Sequence, residues 1–301
     1  MNWYRRRWVR RFNAQSYARA MADLSDYPDL PQDESDEAIA EAMARLRPAF
    51  FRIDEIHRGF SQFEVLDGSS LSFDDGATRY EPLSYQVRTG LSVALDNLRT
   101  VRLIAESGTW PAFSHLALIR NAIEAIGVAT WALAPESTDT RVLRSLQLAY
   151  EDRSDMESLH AAARGEQFRD LPNDDSVRVL LEGMRDERRA NVGLSLKPPA
   201  ITRRLAEAQV LVESAPNHKP TQNYRSMLVS WKWTSGISHG RRQAIYASLD
   251  RQVLDSDHLG AEIKMTTNVG IMAGLFLHTE FYLLRLAQLV LQRNAPSPSY
   301  G

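Results

Sequence analysis

The 301-residue chain contains no cysteine. That excludes disulfides, thiol nucleophiles and zinc sites built on cysteine. Lysine is almost as scarce, since 32 of the 36 basic residues are arginine, a skew that reads first as a high-GC coding bias. No Walker loop, Rossmann glycine fingerprint or G-x-S-x-G elbow occurs, which removes the commonest nucleotide-binding and hydrolase signatures. The first twenty residues hold no apolar run of the length a secretory signal needs. The most apolar late stretch, Met265–Leu277, is 13 residues long, too short to span a bilayer. No transmembrane segment is expected, and a soluble cytoplasmic protein is. A net charge of −2 argues against a chain organised wholly around nucleic acid. With 44% apolar residues there is ample material for a core.

The stretch that organises the chain is Trp110–Pro135, WPAFSHLALIRNAIEAIGVATWALAP. Its apolar residues cover nearly every direction around a helix, so the helix is read as buried, with Pro111 in its first turn and Pro135 stopping it. Arg120, Asn121 and Glu124 interrupt it. A buried Arg and Glu four residues apart must pair with each other or with another helix. Gly108 separates this helix from an amphipathic one over 84–106, and the two are expected to form a central antiparallel hairpin, 84–106/112–133.

The remaining chain reads as further helices. Ser35 is an N-cap for a helix that Pro48 breaks or kinks. Residues 61–80 carry turn signals at Asp67-Gly68 and Asp74-Asp75-Gly76, consistent with a loop or a small hairpin over Phe63–Phe73. Helices follow over 138–165, 175–189, 200–213 and 265–293, with a linker at Asn191–Pro199. No segment sustains a period of two, so the expected class is all-α, a bundle of seven to nine helices. The division is an N-terminal extension over 1–80, a bundle over 81–294 and a disordered tail over 295–301.

Residues 1–21 carry six arginines and no acid, while 22–41 carry eight acids and no base. The first segment could dock on an anionic surface or on RNA, or the two segments could neutralise each other.

Three constellations could carry chemistry. The first joins Arg120, Asn121 and Glu124 to Ser235, Ser238 and His239, where a buried Arg–Glu pair would orient the imidazole as a general acid or base. The second is an Arg four to six residues before a His, at Arg52/His57, Arg153/His160 and Arg251/His258. The third is an acid three residues before a His, at Asp54/His57, Glu157/His160 and Asp255/His258, of which only Glu157/His160 has the Glu of a di-iron site. Composition alone generates about as many matches of the last two kinds, so they carry little information and no metal or cofactor is expected.

Leu118–Ala125, LIRNAIEA, resembles the Arg-x-x-x-Glu helix of uncharacterised bacterial all-α families related to the HEPN-like helical bundle. Ser235-Gly-Ile-Ser-His239-Gly240, with Tyr224 upstream, is similar to the Ser-x-x-x-His that ends a later helix in those families. The resemblance covers residues 84–290 and implies a helical bundle in a toxin or phage-defence setting, without an established substrate. No Arg-x(4–6)-His match falls on either motif. The sequence therefore reads as a non-enzymatic interaction or regulatory protein with an Arg120–Glu124–His239 polar core, working with a protein partner or by self-association. The alternative is a HEPN-like ribonuclease with His239 as acid/base, Arg120 on a phosphate, and Asn121 and Ser235 in support.

Overall fold

In a computed structural model, the described residues are 35–108, 110–165, 175–213, 226–246, 249–257 and 260–296. The basic and acidic stretches before residue 35, Tyr224, His258 and the tail beyond 296 lie outside them. The helices are α1 (Asp36–Ser61), α2 (Ser70–Ala77), α3 (Leu83–Glu106), α4 (Ser114–Leu133), α5 (Thr138–Arg164), α6 (Asp175–Asp186), α7 (Ile201–Glu213), α8 (Met227–Ser238), α9 (Arg242–Tyr246) and α10 (Val269–Asn294). The class is all-α. Among the described residues there are ten α-helices where seven to nine were expected, the short α2 and α9 not being expected as helices, and there is a two-stranded antiparallel hairpin, β1 (Leu249–Asp257) and β2 (Gly260–Thr267), with an irregularity between Val253 and Asp255. That irregularity breaks the period-two pattern partway along β1, which hides the strand from a periodicity reading.

The expected hairpin of long helices is present as α3 and α4. A Cβ on Gly90 would lie 3.2 Å from the Ala125 carbonyl oxygen and 3.2 Å from Ala129 Cβ, so glycine lets the two backbones come this near without either giving way by a few tenths of an ångström. α4 is the hub: α3, α5, α7, α8 and α10 all pack on it. Its buried residues include Ile119, Ile123, Ile126 and Trp131, as its all-round apolar pattern requires. Gly127 leaves room for Leu205 of α7 and Met227 of α8. α4 begins two to three residues later than its sequence suggests, so Pro111 precedes the helix instead of opening it.

α4 and α10 are each long and apolar enough to cross a bilayer by composition alone. In the fold, 61% and 67% of those apolar windows are buried against other helices.

α1 is one continuous helix through Pro48, contrary to the expected break. Pro48 and Ala44, whose carbonyl loses its partner, are both exposed, so water can serve the freed oxygen. Ser35 caps the helix through the Ala38 N–H at 3.2 Å. Leu46, Ala49, Phe50 and Ile53 of α1 join the same core as α4 and α10, and Phe50 meets Phe276 edge-on at 5.4 Å. Residues 36–80 are thus built into the bundle and do not form a separate extension. A smaller second core holds Val142, Leu146 and Ala149 of α5 against Leu181 and Met184 of α6 and Leu196.

Asp74-Asp75-Gly76 is helix α2, not a turn. Asp75 accepts the Ser84 N–H at 2.8 Å and Thr78 Oγ1 accepts the Leu83 N–H at 3.1 Å, so the two cap α3, whose N-cap Pro82 has no side chain to do so. Asp74, fully buried, meets Arg141, which is 1% exposed, at 2.6 and 3.1 Å. The guanidinium also donates to the Pro135 and Glu136 carbonyls (2.8 Å each), Ser70 Oγ (2.8 Å) and Thr138 Oγ1 (3.0 Å). Burial pushes the Asp74 carboxyl up and Arg141 pulls it back only in part. Asp74→Asn should therefore strand a cation in the interior and destabilise the protein by about 3–5 kcal/mol, read as a fall in the denaturant midpoint. Asp74→Leu combined with Arg141→Met should recover part of that loss.

Candidate functional site

α3, α4 and α5 enclose a cleft of about 550 Å³, within the size range of small-molecule sites. Its floor is apolar and small: Val87, Gly90, Ala125, Val128, Ala129 and Leu148. Four polar side chains stand in its wall, Gln86, Asn121, Glu124 and Asp152. Because α3 and α4 run antiparallel with Gly90 against Ala125 and Ala129, Gln86 lies toward one end and Asn121 and Glu124 toward the other.

At the Asn121 end, Glu124 Oε2 accepts from Arg120 at 2.8 Å and from the Trp231 indole N–H at 2.8 Å. Arg120 also donates to Asn121 Oδ1 at 3.1 Å and stands 5.6 Å from the Trp231 ring centroid. The Arg120–Glu124 pairing expected from sequence is present. Its burial is not: the two side chains are 24% and 35% exposed. An open rim lets the charges keep part of their hydration, which an all-round reading of the helix cannot show.

His239 does not join them. It caps the carboxyl end of α8 and is exposed, eight residues past Trp231, or about 12 Å along the helix axis. The His239-Gly240 dipeptide has a local role: Gly240 takes φ +66°, its N–H meets the Ile237 carbonyl at 2.9 Å, and the Arg241 N–H meets that of Gly236 at 2.8 Å. This is a Schellman helix stop, which needs glycine for its left-handed residue. Ser235 is buried inside α8, apart from the rim.

At the Gln86 end, the Gln86 amide donates to the Glu81 carbonyl at 3.2 Å and the Ser145 carbonyl at 3.1 Å. Both donors being used, the amide is fixed, and its Oε1 is buried without a hydrogen-bond partner. Asp152 is close enough to Glu81 to help push that carboxyl up, though burial is the larger cause. Neither acid has an ion pair among the described residues.

The other motifs become ion pairs. Arg52 meets the buried Glu280 at 2.5 Å, Arg153 meets Glu157 at 2.7 Å, and Asp54 takes Arg102 at 2.5 Å. His57 lies beside Arg99 at 3.3 Å, and His160 is exposed. Among the described residues no three His, Asp or Glu side chains cluster as a metal site would. The side chains of Arg251 and Asp255, like His258, fall outside the described ones.

Sequence reading missed three buried polar groups. Trp131, inside the core, donates to Glu207 at 2.9 Å and lies between Arg144 and Arg204, 4.7 and 6.0 Å from its ring centroid. His278 Nδ1 meets Ser230 Oγ at 3.0 Å. His115, fully buried in the first turn of α4, has its pKa lowered to about 4 by desolvation, which the Pro111 carbonyl opposes without reversing. Its only sequence signal was a polar residue on an apolar helix.

Comparison with protein-family models, curated proteins and solved structures finds no match for this chain.

Glu124→Ala should cost about 1 kcal/mol, since the pair is open to water, and should also alter the Trp231 contribution to tryptophan fluorescence. Thermal unfolding across pH gives a second test. The unfolded state takes up a proton at His115 below about 6.5, and the folded state resists it until about 4. Stability from this group is present above pH 6.5 and is lost as pH falls toward 4, by on the order of 3 kcal/mol. His115→Leu should flatten that part of the curve.

Proposed function

We propose that this protein is a non-enzymatic regulatory or interaction protein that works by binding a ligand in the cleft between α3, α4 and α5. The observation that carries the reading is the composition of the cleft wall. Its polar side chains are two amides and two carboxylates, with no Ser, Thr, His, Lys or Tyr among the residues that line it. Such a wall can orient and recognise a ligand. It offers no hydroxyl nucleophile held by an imidazole base, the arrangement on which acyl and many phosphoryl transfers depend. Glu124, the charged group nearest to a catalytic candidate, has one oxygen committed to Arg120 and Trp231. A regulatory protein of this kind would change its surface or its partners when the cleft fills, with protein association or self-association as the output.

The competing reading, a HEPN-like ribonuclease, has one observation in its favour: His239 is exposed beside the exposed Arg241 and Arg242, where an RNA phosphate could reach all three. Against it, Arg120 is engaged by Glu124 and Asn121 at the cleft rim, and no hydrogen bond or ion pair joins it to His239 among the described residues. Purified protein and its His239→Ala variant, incubated with total RNA and several divalent ions, separate the two. RNA that stays intact with both proteins is the expected result. Cleavage by the wild type that disappears in a folded His239→Ala variant would overturn the non-enzymatic reading.

A further inference from the structure

The β1/β2 hairpin has little support from the bundle. Beyond each other, its strands pack chiefly on α9, itself five residues long. A two-stranded hairpin with no further strand and no long helix beneath it is marginal in water. Among the described residues the outer edge of each strand pairs with nothing, so both edges carry open backbone donors and acceptors. The two edges are not equal. β1 is irregular between Val253 and Asp255, and a bulge of that kind hinders the addition of another strand. β2 keeps an unbroken register from Gly260 to Thr267 and contains no proline, which gives about 26 Å of regular edge.

We propose that the β2 edge pairs antiparallel with β2 of a second copy of this chain, giving a homodimer with a continuous four-stranded sheet. A twofold axis normal to the sheet sets one residue of β2 across from its own copy, and the longest overlap comes with Ile263 or Lys264 on the axis. Lys264 on the axis would set lysine against lysine. Ile263 on the axis sets Glu262 of each copy across from Lys264 of the other, so one register yields two opposite-charge pairs. Within each hairpin the register places Asp255 across from Glu262, a like-charge pairing that costs stability. Lys264 of the second copy, on the far side of Glu262, offsets that cost. The other face gains too. Val253 stands across from Ile263 in each hairpin, so a row of four β-branched residues crosses the dimer, two from each copy. Charges along an exposed edge ward off stray strands. Here they admit a strand of complementary order, and this chain supplies one itself. The pairing gives a surface to the self-association named above and does not depend on what fills the cleft.

Sedimentation velocity of the intact protein over a range of concentrations tests the proposal, with far-UV circular dichroism as the check on folding. The wild type should sediment as a dimer that dissociates on dilution. Lys264→Glu sets acid against acid at both pairs, and Glu262→Lys sets base against base. Each should raise the dimer dissociation constant by roughly ten-fold or more. The two single variants have complementary edges, so an equal mixture of them should recover dimers of about wild-type affinity. The double variant Glu262→Lys/Lys264→Glu, which exchanges the two charges, should recover them as well. A wild type that stays monomeric across the range overturns the proposal and leaves the cleft reading untouched. A dimer whose dissociation constant neither single variant changes is held by another surface, which also overturns it. Loss of the dimer in both single variants with no recovery in their mixture would mean that positions 262 and 264 do not meet across the axis, and the proposed pairing falls.

Discussion

The Asp74–Arg141 ion pair is the interaction on which the arrangement of the helices depends. It lies at the junction of α2, α5 and the short connection after α4, and both partners are buried. Burying two charges costs more than their attraction returns unless every remaining donor is satisfied. Here every guanidinium nitrogen of Arg141 is used, on the carboxylate, on two backbone carbonyls and on two hydroxyls. The pair therefore specifies one geometry more than it adds stability. It sets where α2 lies, and α2 in turn supplies the caps of α3 through Asp75 and Thr78. The cleft wall formed by α3 inherits its position from that chain of contacts.

A second device recurs around α4. At two places along the helix, its middle and its C-terminal end, a tryptophan N–H donates to a glutamate that also takes an arginine, and an arginine lies over the indole ring. Trp231, Glu124 and Arg120 join α8 to α4 at the first. Trp131, Glu207 and Arg144 join α4 to α7 and α5 at the second. Each clasp combines an aromatic surface, which excludes water, with a charged pair whose acid is already held by the indole N–H. The helix that carries no complementary stripe of its own is thereby fixed in rotation by three neighbours.

Much of this was legible in the sequence. The buried α4, its partner α3, the Ser35 cap and the Arg120–Glu124 pairing all follow from local spacing, because each depends on residues within a few turns of one another. What was not legible depends on long-range contact. Asp74 reads as a turn residue until Arg141, 67 positions later, is seen to meet it. His239 looked like a partner for Glu124 because sequence gives no measure of how far along α8 a side chain stands from the helix it packs on. Trp231, two turns earlier, takes the place assigned to it. That α1 continues through Pro48 was not legible because the cost of a missing N–H depends on whether the orphaned carbonyl faces water, which periodicity alone does not weigh. The cleft was invisible for the same reason, being a gap between three helices whose lining residues form no motif.

The connection between α4 and α5 has a mechanical consequence. Its carbonyls are gripped from two sides, by Arg141 at Pro135 and Glu136 and by Arg293 of α10 at Ala134 and Pro135. Those bonds remove the slack a four-residue corner would otherwise have. α5 is accordingly pinned near its start, while its far portion, with Met156 and Leu159 in water, has less around it. Farther along, Arg204 of α7 holds both carboxylate oxygens of Glu151 at 2.6 and 2.9 Å, so α5 is clamped at a second point and the helix acts as a beam fixed at two supports.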